Sequence, residues 1–313
     1  MEYKSFIIIF VLITYCFGES SFYDGRLFED GKDARISAMA GVSHSIFDLS
    51  NCILENQSSP TIDFSYKSKF DNLVKINSFS ILLPNNNKPI LLKLTNRLID
   101  EIYDTRSAWD DDGDFIPESG EIDYFKIDQI QQQEIGISIS TIKLLETYML
   151  GFSFKPNFIK LAEYSAYGAS LDISAMKQLS NSLNIMMSIE NIYAFKYWNS
   201  GSFEKFSPII NGGMFYKGTI VNGGIYLERD IKNPNYYQHH LGVEMIKDDN
   251  FFFRLGHSYK HSLSIGFGIK TYVMNIDYAY IYLIENNLPA FNQILSFKII
   301  LEDLIFLKGK IKP

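Results

Sequence analysis

Thirteen residues at 109–121, WDDDGDFIPESGE, carry six carboxylates. Asp110, Asp112, Asp114, Glu118 and Glu121 fall at positions 1, 3, 5, 9 and 12 of an EF-hand count. Oxygen donors at those positions of a tight loop would wrap a calcium ion. Position six, where the turn needs glycine, is Phe115, and the glycine sits two places early at Gly113. The flanks at 99–105 and 122–133 do not read as paired helices. An acidic, solvated loop is therefore the favoured reading, and a looser calcium site is the alternative. Calcium is the one cofactor this chain suggests.

Histidines are the other obvious chemical candidates. His239 and His240 are adjacent, so on a strand they face opposite sides, and no carboxylate stands at ligand spacing beside them or beside His257. Acid–base or nucleophilic catalysis needs converging partners. None is legible, and the chain is read as a non-enzyme.

What must position such residues is set by the rest of the chain. Residues 1–18 begin with Lys4 and a short apolar run, FIIIFVLIT, followed by small residues, which matches a removable signal peptide and is too short to span a bilayer. Cleavage near Gly18 removes Cys16 and leaves Cys52 alone, so an exported protein must hold together without an internal disulfide. The net charge of -7 excludes a nucleic-acid partner, because no basic stripe is present to displace counterions. With 20 Tyr and 25 Phe and no later helical span, two classes remain: a soluble secreted all-β ligand-binding protein, or an outer-membrane β-barrel.

From Thr61 onward the pattern has period two. In LSIGFGIK at 263–270, Leu263, Ile265, Phe267 and Ile269 share one face, and Ser264, Gly266, Gly268 and Lys270 share the other. Fourteen such segments lie near 61–69, 75–83, 88–96, 134–143, 146–155, 167–177, 181–192, 207–216, 219–228, 238–246, 251–258, 262–270, 273–283 and 291–301. Connections after even-numbered segments are tight and those after odd ones mostly longer, longest at 98–133. Transmembrane barrels sort their turns this way, and closure pairs every backbone group in lipid. The expected fold is an all-β, transmembrane antiparallel barrel of about fourteen strands over 61–313, with a small helical or irregular plug at 19–60 and the acidic outer loop at 98–133. Polar residues at Asp172, Asn184, Glu190, Asn191 and Asp277 should face inward, since charges facing lipid are costly. They would line a ligand path or hold the barrel's shape. Past Leu301 the chain runs on as EDLIFLKGKIKP, so the last strand is alternatively placed at 304–311.

The run at 164–193, YSAYGASLDISAMKQLSNSLNIMMSIENIY, resembles the central strand–turn–strand of PorV/PorQ-type outer-membrane proteins, relatives of the FadL-like barrels. The resemblance rests on Ser165, Ala166, Gly168, Asp172 and Ile189-Glu-Asn191. It continues through Gly242-Val-Glu244, Arg254-Leu-Gly256, Gly266-Phe-Gly268, Ile276-Asp-Tyr-Ala-Tyr280 and Leu295-Ser-Phe297. Residues 33–59 resemble the family's Gly/Ala-rich opening, with Asn56-Gln57-Ser58 where the family usually has Asn-Pro-Ala. The resemblance implies a fourteen-stranded barrel with an N-terminal segment tucked inside it. It also implies either passage of hydrophobic small molecules or a partnership with secretion machinery and surface-attached cargo.

Overall fold

A computed structural model describes residues 27–42, 59–84, 88–108, 122–146, 148–232, 237–258, 262–285 and 288–301. The proposed signal peptide, the acidic stretch 109–121 and the tail 302–313 lie outside the described residues.

Two short helices, α1 (Leu27–Asp30) and α2 (Ala34–Ala38), precede the strands. The strands are β1 (Thr61–Lys69), β2 (Val74–Leu83), β3 (Ile90–Asp104), β4 (Asp128–Leu144), β5 (Tyr148–Leu161), β6 (Tyr164–Gln178) and β7 (Leu183–Trp198). After a three-residue piece, β8 (Phe203–Lys205), come β9 (Ile209–Lys217), β10 (Val221–Asp230), β11 (Tyr237–Lys247) and β12 (Phe251–Ser258). The last are β13 (Ser262–Lys270), β14 (Met274–Glu285) and β15 (Leu288–Ile300). Apart from β8, which pairs the upper end of β7, the described strands form a closed antiparallel barrel of 14. Closure is made by β1 against β15, from Thr61 opposite Ile300 to Lys69 opposite Asn292. The final barrel strand is therefore β15, upstream of the alternative at 304–311.

Side-chain burial is inverted relative to a water-soluble protein. On β4, Ile135, Ile137 and Ile139 point outward and are exposed, while Glu134, Ser138 and Ser140 point inward and are buried. Leu92 and Leu94 on β3 and Phe152 and Phe154 on β5 extend the same oily outer surface. Such a surface is stable only against hydrocarbon, and only a closed barrel leaves no unpaired edge there.

Short turns, such as 179–182, 218–220 and 271–273, gather at the end that also carries Thr61 and Ile300, which by the rule for these barrels is the periplasmic end. The outer end differs from the sequence pattern. The stretch read as loop over 98–133 is strand to Asp104 and again from Asp128, and β5 and β6 are joined by Ala162 and Glu163 alone. The 17 residues of β4 reach about 40 Å at barrel tilt, against an apolar belt of about 25 Å. The outward residues above Ile135 are Gln133, Gln131 and Gln129, which mark where lipid ends. There both strand faces meet water, so the period-two signal disappears while the hydrogen-bonded ladder continues.

Two local irregularities aim lumen residues. The β4–β5 ladder breaks between Gly136–Asn157 and Ile139–Phe154, where Pro156 has no N–H to give. A bulge between β6 and β7 falls at Asp172, whose Oδ1 accepts the Asn191 N–H at 2.9 Å while Asn191 adopts φ 54°. Asn and Asp tolerate that left-handed conformation better than most residues.

Candidate functional site

The barrel's lumen is the candidate site, and residues 27–42 lie in it. Asp33 caps α2 by accepting the Ile36 N–H at 2.8 Å. The helix stops after five residues, with Ala40 at φ 54° and Gly41 at φ 86°. Wall hydroxyls satisfy this segment's backbone: Ser78 and Ser264 donate to the carbonyls of Gly31 and Ala38 at 3.1 and 2.8 Å, and Ser296 accepts the Ala34 N–H at 2.8 Å.

Glycines on the lumen face make room for it. A Cβ at Gly266 would stand 2.4 Å from the Ala38 Cβ, and one at Gly256 would stand 2.5 Å from the Ala40 nitrogen. The empty face of LSIGFGIK is thus the bed of α2. Gly266→Val is expected to loosen residues 27–42, since overpacking costs about 1–3 kcal/mol, or roughly ten-fold or more in the open population. Labelling of a Ser37→Cys reporter by a water-soluble maleimide measures this; an unchanged rate would contradict the packing.

Charge fixes the segment at two seats. On α1, Asp30 meets Lys69 at 2.5 Å, Arg97 at 3.3 Å and Lys67 at 3.6 Å. Arg97 continues to Glu134 at 2.6 Å, which also receives Lys196 at 2.8 Å and Asn157 at 3.2 Å. On α2, Arg35 grips Glu244 with two hydrogen bonds of 3.0 and 2.9 Å. Glu244, fully buried, is also held by Arg254 at 2.7 Å and Asn222 at 2.8 Å, and Arg254 reaches Asp277 at 2.6 Å. Buried charges persist only when paired and hydrogen-bonded in this way.

The residues read from sequence as inward-facing divide among these networks. Asp172 pairs with Lys155, and with Glu190 both line a cavity of about 70 Å³ beside Glu29 and Lys32. Glu190 also receives the Asn211 amide at 2.7 Å. Asp277 lines a second cavity of about 80 Å³, which shares Leu91 and Lys93 with the first. Each has room for a few water molecules. Asn184 is buried on the same inner face of β7, and Asn191 serves the bulge through its backbone. The calcium candidates Asp110, Asp112, Asp114, Glu118 and Glu121 lie outside the described residues. The histidines do not converge: His240 turns inward to the Ala40 carbonyl at 2.8 Å, while His239 turns outward against His257.

Sequence reasoning missed an apolar arc on the inner wall near the periplasmic mouth. Leu82, Leu91 and Ile142 pack together with Leu144 and Met149. Met149 also joins Met176, Met186 and Phe215, and the N-terminal segment completes that cluster with Met39 and Val42. The signal was present as inward positions occupied by Met and Leu in place of Ser or Asn at the ends of several segments.

At the outer rim Arg106 binds Asp104 at 2.6 Å and Glu163 at 3.0 Å, spanning neighbouring hairpins. The Arg106 guanidinium holds the Glu163 carboxyl below the usual carboxylate range. This clamp therefore persists at neutral pH and fails only as pH falls through that lowered value.

Taken together, these features define a plugged transmembrane β-barrel, oily outside and ion-paired within, suited to an outer membrane. Solved structures carry the same fold. The Pseudomonas putida toluene transporter TodX superposes with a TM-score of 0.64 at 9% identity, over 86% of this chain and 98% of that one. The Ralstonia pickettii toluene transporter TbuX gives 0.60 at 9% identity over 87% and 98%, and a Pseudomonas aeruginosa FadL homologue gives 0.51 at 9% over 85% and 97%. No protein-family profile matches the sequence, and no curated protein matches it. At such identities the likeness establishes the fold.

Proposed function

We propose that this protein is an outer-membrane channel for small hydrophobic molecules, exported by the signal peptide at 1–18 and closed at rest by a plug formed from 19–60. The observation that carries the reading is the Met-rich arc, a continuous apolar surface inside a lumen lined largely by hydroxyls and ion pairs. Thioether side chains adapt to varied apolar shapes, and hydrophobic ligands need such a surface. The shared fold with toluene transporters supports the same reading. Met186→Lys places a charge on the arc. It is expected to lower uptake of a monoaromatic hydrocarbon by expressing cells about ten-fold, the effect of roughly 1.4 kcal/mol. Heat-modifiable gel migration should be unchanged. Undiminished uptake by the folded variant would remove the reading.

A second reading, a partner in protein secretion or surface attachment, is favoured by aromatic side chains held above the apolar belt. Tyr124 and Phe125, just after the acidic stretch, are 75% and 102% exposed, and Tyr103 near the outer end of β3 is 63% exposed. On that reading Phe125→Ser would release surface cargo from the cell while leaving hydrocarbon uptake intact.

A further inference from the structure

We propose that this barrel has a second, aqueous activity: when residues 27–42 leave their seats, the lumen becomes a water-filled pore for small hydrophilic ions. The proposal is independent of hydrocarbon passage.

The first line of argument is the chemistry of the wall. Beyond the Met-rich arc, the inner face is largely hydroxyls and charges, interrupted by apolar residues such as Ile76, Ile159, Ala279 and Ile294. Ser65 stands opposite Ser78 on one side and Ser296 on the other, and Ser138, Ser140 and Ser153 form a hydrogen-bonded row at 3.2 and 2.6 Å. Lys93 and Lys155 lie at the same depth. Vacated, such a wall holds water in preference to hydrocarbon, because its groups must keep hydrogen-bond partners. Both charge signs occur around the ring, so weak selectivity between cations and anions is expected.

The second line is the manner of closure. The two seats have opposite sign. The segment presents Asp30 to a basic wall of Lys67, Lys69 and Arg97 on β1 and β3, and Arg35 to the acid Glu244 on β11. Reversing the segment end for end would place like charges together at both seats, so the pairing fixes one orientation. At each seat one wall residue also has partners of its own. Arg97 keeps Glu134, and Glu244 keeps Arg254 and Asn222. Those two residues keep counter-charges when the segment departs, while Lys67 and Lys69 exchange Asp30 for water, which a filled pore supplies. Neutral contacts complete the hold: Leu27 and Phe28 over Gly136, Ala34 and Ala38 against Ala279 and Ile294, and Met39 and Val42 on the arc.

The test is current through planar bilayers in potassium chloride, using the full mature chain. The wild type should be silent or open rarely. Asp30→Asn combined with Arg35→Gln should give frequent stepwise currents, at least ten-fold more open time, with heat-modifiable migration retained. The charge-conserving Asp30→Glu, with Arg35 intact, should stay close to the wild type, which separates seat charge from general damage. Maleimide labelling at Ser37→Cys reports whether the segment has left. Rapid labelling without current would show that the vacated wall does not conduct, and unchanged labelling would show that the seats do not hold the segment. Either result overturns the proposal, whatever the hydrocarbon uptake assay gives.

Discussion

A disulfide between Val42→Cys and Gly242→Cys, in a Cys52→Ser background, is expected to abolish hydrocarbon uptake, and a reductant should restore it. The geometry favours the bond. A Cβ built at Gly242 lies 3.0 Å from the Val42 Cβ and 2.6 Å from the Met39 carbonyl oxygen, so the segment must draw back by well under an ångström, which also brings the pair to the roughly 3.5–4.5 Å of a disulfide. The bond would tie the end of the N-terminal segment to the middle of β11, beside the Glu244 seat and on the edge of the Met-rich arc. Locked there, Met39 and the cross-linked side chain at position 42 continue to occupy the apolar surface that a permeant needs. The effect should be near total because the lock acts on the closed arrangement itself. The reduced double variant serves as its own control, since both substitutions remain while the tether is gone. Uptake that persists in the oxidised protein, with the bond verified by mass spectrometry, would show that permeation does not require this segment to move.

Ile139→Arg is expected to destabilise the protein in bilayers by about 2–4 kcal/mol, the cost of arginine on the lipid face near mid-depth. Ile139 points outward from β4, between Leu92 of β3 and Phe154 of β5, which are themselves exposed on the oily surface. The next residue, Ser140, points inward and bonds Ser138 and Ser153. Ser140→Ala should cost only about 1 kcal/mol, the net worth of hydrogen bonds that neighbours or water partly replace. Urea unfolding of protein reconstituted in phospholipid vesicles measures both. The contrast between adjacent residues is the informative quantity, because it separates the lipid-facing position from the lumen-facing one beside it.

The architecture was legible wherever one strand face meets lipid and the other does not. The alternation at 263–270 and at Ile135 to Ser140 identifies the barrel because lipid selects every second residue. The signal stops where that selection stops. Above Ile135 on β4 both faces meet water, so three glutamines in a row read as loop although they lie within the strand. The lumen was less legible, because its contacts join residues far apart in the chain. Arg35 and Glu244 are separated by 209 positions, and nothing local to either announces the other. The five residues of α2 are too few to show a helical period. Gly266 and Gly268 were visible as gaps in a pattern, but what approaches Gly266 could be known only from the fold. Pro156 marked a break in a strand without indicating that Lys155 beside it would reach Asp172.

Central to all of this is the assignment of one strand face to lipid and the other to a filled lumen. The most direct test attaches a fluorophore to single cysteines along β13 in reconstituted, Cys52→Ser protein and measures quenching by lipids brominated on their acyl chains. Labels at Leu263, Ile265 and Phe267 should be quenched strongly, while those at Ser262 and Ser264 should be nearly untouched. Equal quenching at consecutive positions, or strong quenching confined to the serines, would contradict the account.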